Sequence, residues 1–349
     1  MVRLSDIVGI KDKSLGGQNS TDGKPEEEKL WLSDSQAMKV KGERFSGNVT
    51  QAESPNLEVV TYYEKFLERA MEVRERVKKD QGISPSPILS DLHYIIEKML
   101  IDQMYDYAMS AHDDYDEMML HTVHVTFASL RVGKGMDYDT KKLLELGLAA
   151  FLENVGMYKI PDNILKKERK LEEFEHAAIK NHPEVSSQIL SRMGDRYRWL
   201  GEVALQVHER ADGSGYPRGL KGDEISELAS IIGLVDTYVA MIKKRCYREK
   251  FIQTDAIKLI IKEARDLFPP KLLKIFLNQI SIFPVGTLVR LNNRSVGRVI
   301  STDKNQPLRP TVELTYDSEG NLSGKGEIIR LSENPLLYVV GSVDEKEIS

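Results

Sequence analysis

Residues 208–217 read His208-Glu209-Arg210-Ala211-Asp212-Gly213-Ser214-Gly215-Tyr216-Pro217, directly after the apolar run Val203 to Val207. That run suits a helix. Two glycines and a proline then force an ordered turn, because glycine reaches backbone conformations closed to other residues and proline fixes its own. A histidine falls at the helix end and a tyrosine is held in the loop. A helix C-terminus followed by a turn accounts for the glycines and the proline. It does not account for His208, Arg210, Asp212 and Tyr216 gathering within nine residues.

On both sides of this loop, residues 113–283 read as successive helices with short polar breaks and no convincing alternating strand. Leu143 to Leu152 is strongly apolar and is expected to be buried. Asp223-Glu224 and Asp255 sit where acids suit helix starts. Upstream, Val59, Tyr62, Phe66, Leu67, Ala70, Val73 and Val77 recur at helical spacing. Pro85 and Pro87 break the chain, and a second amphipathic run follows from Ile88 to Met109. Residues 57–112 are therefore expected to form a helical hairpin, either packed onto the core or serving as a dimerisation or coupling element. Residues 1–56 are polar and rich in Gly, Ser, Asn, Lys and Glu, so a mostly disordered segment is expected. Leu30-Trp31-Leu32 is its one patch able to dock on a folded surface.

Beyond Pro284 the period changes to two. Val285 to Leu291, Ser295 to Ile300 and Thr311 to Tyr316 alternate, with Asn292-Asn293 and Ser318-Glu319-Gly320-Asn321 as turns. Residues 284–349 are read as a small antiparallel β module. The expected fold is mainly α, with N-terminal helices, a central helical bundle and this C-terminal module.

Composition narrows the function classes. Of 349 residues, 41% are hydrophobic and 30% charged, enough for a sizeable core. A formal net charge of −5 argues against general nucleic-acid binding. One cysteine, Cys246, rules out a disulfide framework within the chain and suits a reducing cytosol, so a cytoplasmic location is expected. No apolar run has the length of a membrane span.

Seven histidines are candidates for chemistry: His93, His112, His121, His124, His176, His182 and His208. Glu117 and His121 are four apart, which puts both on one helix face, and a carboxylate with an imidazole suits iron, manganese or zinc. The loop at 208–217 is more specific. It resembles the signature of the HD-GYP family, metal-dependent phosphodiesterases that hydrolyse cyclic di-GMP. Lys159-Ile160-Pro161 with Ile164-Leu165, His182-Pro183-Glu184, and Asp236 with Arg245, Tyr247 and Arg248 also match. The likeness runs from about residue 113 to 282 and continues more weakly into the β module.

The resemblance implies an HD-superfamily helical bundle enclosing two or three metals, with ligands from several helices. Glu117, His121, His182, His208 and Asp236 fall on family ligand positions. Asp212, Gly213, Gly215, Tyr216 and Pro217 keep the signature loop, and Tyr216, Arg245 and Arg248 fall on positions that bind the dinucleotide. The departures are equally specific. The His-Asp pair that names the family is Glu153-Asn154 here, the lysine that follows is Met157, the first of two paired histidines is Val207, and a further aspartate is Val239. An amide oxygen is a weak bridge between cations, so Asn154 is at most a weak ligand, whereas Glu153 offers an oxygen in place of imidazole. Val207 offers no lone pair.

Iron, manganese or zinc is thus expected at reduced occupancy or not at all. Three functions follow: an impaired HD-GYP protein acting as a cyclic-di-GMP receptor or scaffold, an active phosphodiesterase with a re-ligated site, or a pure protein-protein module. The resemblance implies a diguanylate cyclase (GGDEF) domain or another signalling protein as partner, and leaves a homodimer open.

Overall fold

The computed structural model of the chain describes residues 56–109, 115–165, 167, 171–242, 253–280, 283, 286–302, 306, 308–323 and 326–343. The segment expected to be disordered, with Leu30-Trp31-Leu32, lies outside these residues apart from Asn56. So do His112, Arg245, Cys246, Tyr247 and Arg248.

Helix α1, Leu57–Lys78, starts at Asn56, whose side-chain oxygen accepts the Glu58 N–H at 3.1 Å. It buries one stripe: Val59, Tyr63, Phe66, Leu67, Ala70, Val73 and Val77. Tyr63 takes the inward place expected of Tyr62, which instead stacks on Tyr94 with ring centroids 4.5 Å apart. The run Ile88 to Met109 is two helices, α2 (Ser86–Glu97) and α3 (Ile101–Met109). Met99 takes φ +58°, and the Leu100 N–H turns back to the Ile95 carbonyl at 2.9 Å, which closes α2. The hairpin read from the sequence is therefore a three-helix unit.

Helix α4, Glu117–Gly135, is the axis of the bundle. Asp116 caps it by accepting the Met118 N–H at 3.1 Å and holds Arg74 of α1 at 3.0 Å. Every residue from His121 to Leu130 is buried, so this helix is enclosed on all sides. It packs against α1, α3, α5 (Thr140–Leu152) and two later helices, α10 (Glu227–Ile242) and α12 (Pro270–Gln279). Between α5 and α10 come a 3-10 turn at Val155–Lys159, then α6 (Asp162–Leu165), α7 (Glu173–Lys180), α8 (His182–Ser191) and α9 (Arg198–Gln206). Asn181 ends α7 and begins α8, with Pro183 in the first turn, where its missing N–H costs no helical bond. Helix α11 spans Gln253–Glu263 and packs on α10.

The C-terminal module is a five-stranded antiparallel sheet in the order β4-β3-β2-β1-β5, built from β1 (Leu288–Leu291), β2 (Val296–Ser301), β3 (Thr311–Tyr316), β4 (Ile328–Arg330) and β5 (Val339–Ser342). Its inward residues Val289, Leu291, Val299, Val312 and Leu331 join the same apolar cluster as Phe276, Ile280 and Phe283. No helix among the described residues is long and apolar enough to cross a membrane.

Candidate metal centre

Five elements deliver one side chain each to the interior of the bundle. His121 comes from α4, Glu153 from the end of α5, His182 from the start of α8, His208 from just beyond α9, and Asp236 from the middle of α10. All five are buried. They form two overlapping groups, Glu153 with His182 and His208, and His121 with Glu153 and Asp236. Within each group one donor atom per residue lies within 4.8 Å of the others.

Two glycines permit this convergence. A Cβ on Gly156 would stand 2.2 Å from the His182 carbonyl oxygen, and one on Gly233 would stand 2.2 Å from the Val207 carbonyl oxygen. The bare backbone lets the turn after Glu153 meet α8 and lets α10 meet the chain carrying His208. The Gly156 N–H is held by the buried Ser186 hydroxyl at 2.8 Å.

The ring nitrogens specify their own protonation. His182 Nδ1 lies 2.6 Å from the Ile179 carbonyl oxygen, which can only accept, so Nδ1 carries the proton. In the neutral ring this leaves the Nε2 lone pair facing inward, 2.9 Å from His208 Nε2. His208 Nδ1 and Glu153 Oε2 are buried without a hydrogen-bond partner. His121 Nε2 meets an Asp236 carboxylate oxygen at 2.8 Å. Burial holds the His208 imidazole far from protonation, with His182 adding to the effect, and burial also lowers His182. Burial pushes the Glu153 carboxyl well above the usual carboxylate range, and Asp236 pushes it further. Neutral imidazoles, two carboxylates and orphaned buried donor atoms form a set that fits a divalent transition metal.

Not every expected residue joins it. Glu117 is exposed in the first turn of α4, outside both donor groups. Asn154 turns its amide to donate to Glu153 Oε1. Val207 is buried and offers no lone pair, and Met157 is half-buried within the 3-10 turn. Tyr216 stacks on His208, with centroids 5.0 Å apart and planes 3° apart. Its N–H donates to the His208 carbonyl at 3.1 Å, and burial, with Asp236, raises its phenol. The Lys180 amine lies 5.4 Å from the centre of the Tyr216 ring.

Several polar residues of the loop prove to be fasteners. The buried Arg210 guanidinium donates to the Val207 and Glu209 carbonyls at 3.0 and 2.7 Å and to Thr237 at 3.3 Å, over the Phe268 ring. The Glu209 carboxylate accepts the backbone N–H groups of Arg218 and Leu220 at 2.6 and 3.0 Å. Asp212 accepts both the N–H and the hydroxyl of Ser214. The roles of Ser186, Asn154 and Lys180 had no local sequence signal, because each depends on a neighbour brought in from another element or on a side-chain direction.

Residues 107–272 match the HD domain family, and residues 288–349 match a family described as a KOW domain associated with HD domain. A cyclic di-GMP phosphodiesterase, PdeB, from Borreliella burgdorferi is 31% identical over 56% of this chain and 51% of its own length. A cyclic di-GMP phosphodiesterase from Thermotoga maritima is 36% identical over 45% of this chain and 43% of its own. The chain thus spans about half the length, or less, of these curated relatives. Among solved structures, Bd1817, a HDG"Y"P protein from Bdellovibrio bacteriovorus, superposes with a TM-score of 0.53 at 19% identity, over 65% of this chain and 72% of that one, a likeness of fold.

Proposed function

We propose, for a chain that belongs to the HD-GYP family, that its helical domain is a metal-holding receptor for cyclic di-GMP with weakened hydrolytic power, acting as a sensor or scaffold in signalling. One observation carries this reading. The donors around Glu153 persist, while Val207 and Met157 stand where the family supplies a ligand and a cation.

His121, Glu153, His182, His208 and Asp236 would hold the metal. A divalent cation in this position would polarise a phosphoryl oxygen and favour ionisation of the attacking water. The chain's own residues do the rest. The Ile179 carbonyl fixes the His182 tautomer and aims its lone pair inward. Tyr216, held against His208, forms one wall beside which a nucleotide is oriented. Lys180 places positive charge at that wall. The dinucleotide's own phosphates supply the matching negative charge. Losing a ligand or supporting group typically costs about 10–100-fold each, so Val207 and Met157 together lower turnover by roughly 10²–10⁴.

A second reading has its own support. Glu153 belongs to both donor groups, which favours an active phosphodiesterase with a re-ligated site. Protein purified without chelator, loaded with Mn²⁺ and given cyclic di-GMP decides between them. Binding at micromolar levels with little product supports the receptor. Product formation within tenfold of an intact family enzyme supports the re-ligated enzyme. Absence of both binding and turnover leaves a protein-protein module, with a diguanylate cyclase domain as the partner to test.

A further inference from the structure

We infer that Glu153 is a shared ligand, joining two cation positions through one carboxylate, and that Asn154 is its positioning residue and not a ligand. The inference rests on the metal-centre reading above and concerns how this chain replaces the family's His-Asp pair.

Three observations converge. Glu153 is the one residue common to the two donor groups, joined by His182 and His208 in one and by His121 and Asp236 in the other. Its two oxygens are in different states: Oε1 receives the Asn154 amide hydrogen, while Oε2 is buried without any hydrogen-bond partner. A carboxylate with one oxygen orphaned in the interior has a large desolvation cost unless a cation or proton meets it. The Asn154 side chain, in turn, spends its donor on Glu153, which fixes the plane of the carboxylate in the manner of a supporting hydrogen bond.

The two substitutions are then one change. The carboxylate of the pair moves from the second position to the first, on a side chain longer by one methylene. The second position becomes the amide that steadies it. A glutamate alone would lack a fixed plane, and an asparagine alone would lack the charge.

The chain loaded with Mn²⁺ tests this. Elemental analysis of the wild type should give two Mn²⁺ per chain, and its electron paramagnetic resonance spectrum should show two exchange-coupled ions. Glu153→Gln should lose both ions, whereas His182→Gln and Asp236→Asn should each lose one. Asn154→Ala should keep two at saturation with affinity lowered about 10-fold. A Glu153→Gln protein that keeps one ion overturns the shared-ligand role, and so does an uncoupled spectrum in the fully loaded wild type. The spectrum needs no variant, so misfolding of Glu153→Gln does not leave the matter open. An Asn154→Ala protein that loses one ion overturns the positioning role. Two coupled ions in a chain that binds no cyclic di-GMP would refute the receptor and leave this inference standing, and the reverse result would do the opposite.

Discussion

At the residue scale, the buried donors set the pH response. His208 and His182 resist protonation, so below their ordinary value near 6.5 the unfolded chain takes up protons that the folded chain does not. Their contribution is intact above that value and is lost as the pH falls. Glu153 has the opposite sign. Its carboxyl is raised above 4.5, so its contribution is present at low pH and is lost as the pH rises through the raised value. A cation takes neutral imidazoles, which burial already supplies, and an ionised carboxylate, and therefore competes with the proton held at Glu153. The rise in Tm produced by Mn²⁺ should grow as the pH rises from the ordinary carboxylate range through neutrality, as scanning fluorimetry would show. A rise that shrinks over that interval would mean that these residues do not hold the ion. Arg210→Ala should cost about 2–4 kcal/mol, because it leaves two carbonyls without their donor and a gap over Phe268; urea titration measures it. The sequence displayed the imidazoles and acids plainly. It could not separate ligand from fastener. Arg210 and Glu209 share the signature loop with His208, and only the fold shows them turned to backbone groups.

At the element scale, close approach is the sensitive quantity. Gly233→Ala would push a methyl group against the Val207 carbonyl and move α10 away from His208. A loss of about 1–3 kcal/mol is expected, with Mn²⁺ affinity reduced as well. A variant with native stability and native metal affinity would show that the two segments yield without cost. Asp116→Ala removes the cap of α4 and its tie to Arg74, and should cost about 1–2 kcal/mol in chemical denaturation. Helices α1 and α5 were legible because an apolar stripe and an apolar run are local properties. The break at Met99 was not, because it consists of one residue in a left-handed conformation within an otherwise continuous amphipathic run.

At the scale of the whole molecule, the sheet and the bundle share one apolar cluster running through Phe276, Phe283, Val289 and Val312. Calorimetry should accordingly show a single cooperative transition for helical domain and β module together. Two resolved transitions would show that the shared cluster does not couple them. The alternating strands announced the module, yet nothing in their period indicated which face would meet the helices. The five donors also lie far apart along the chain, from residue 121 to residue 236. Cations held among them would act as reversible cross-links that close large loops, removing freedom from the unfolded ensemble as a covalent bridge does. Metal supply would then govern how long the protein survives proteolysis, and cells short of metal would hold less of it.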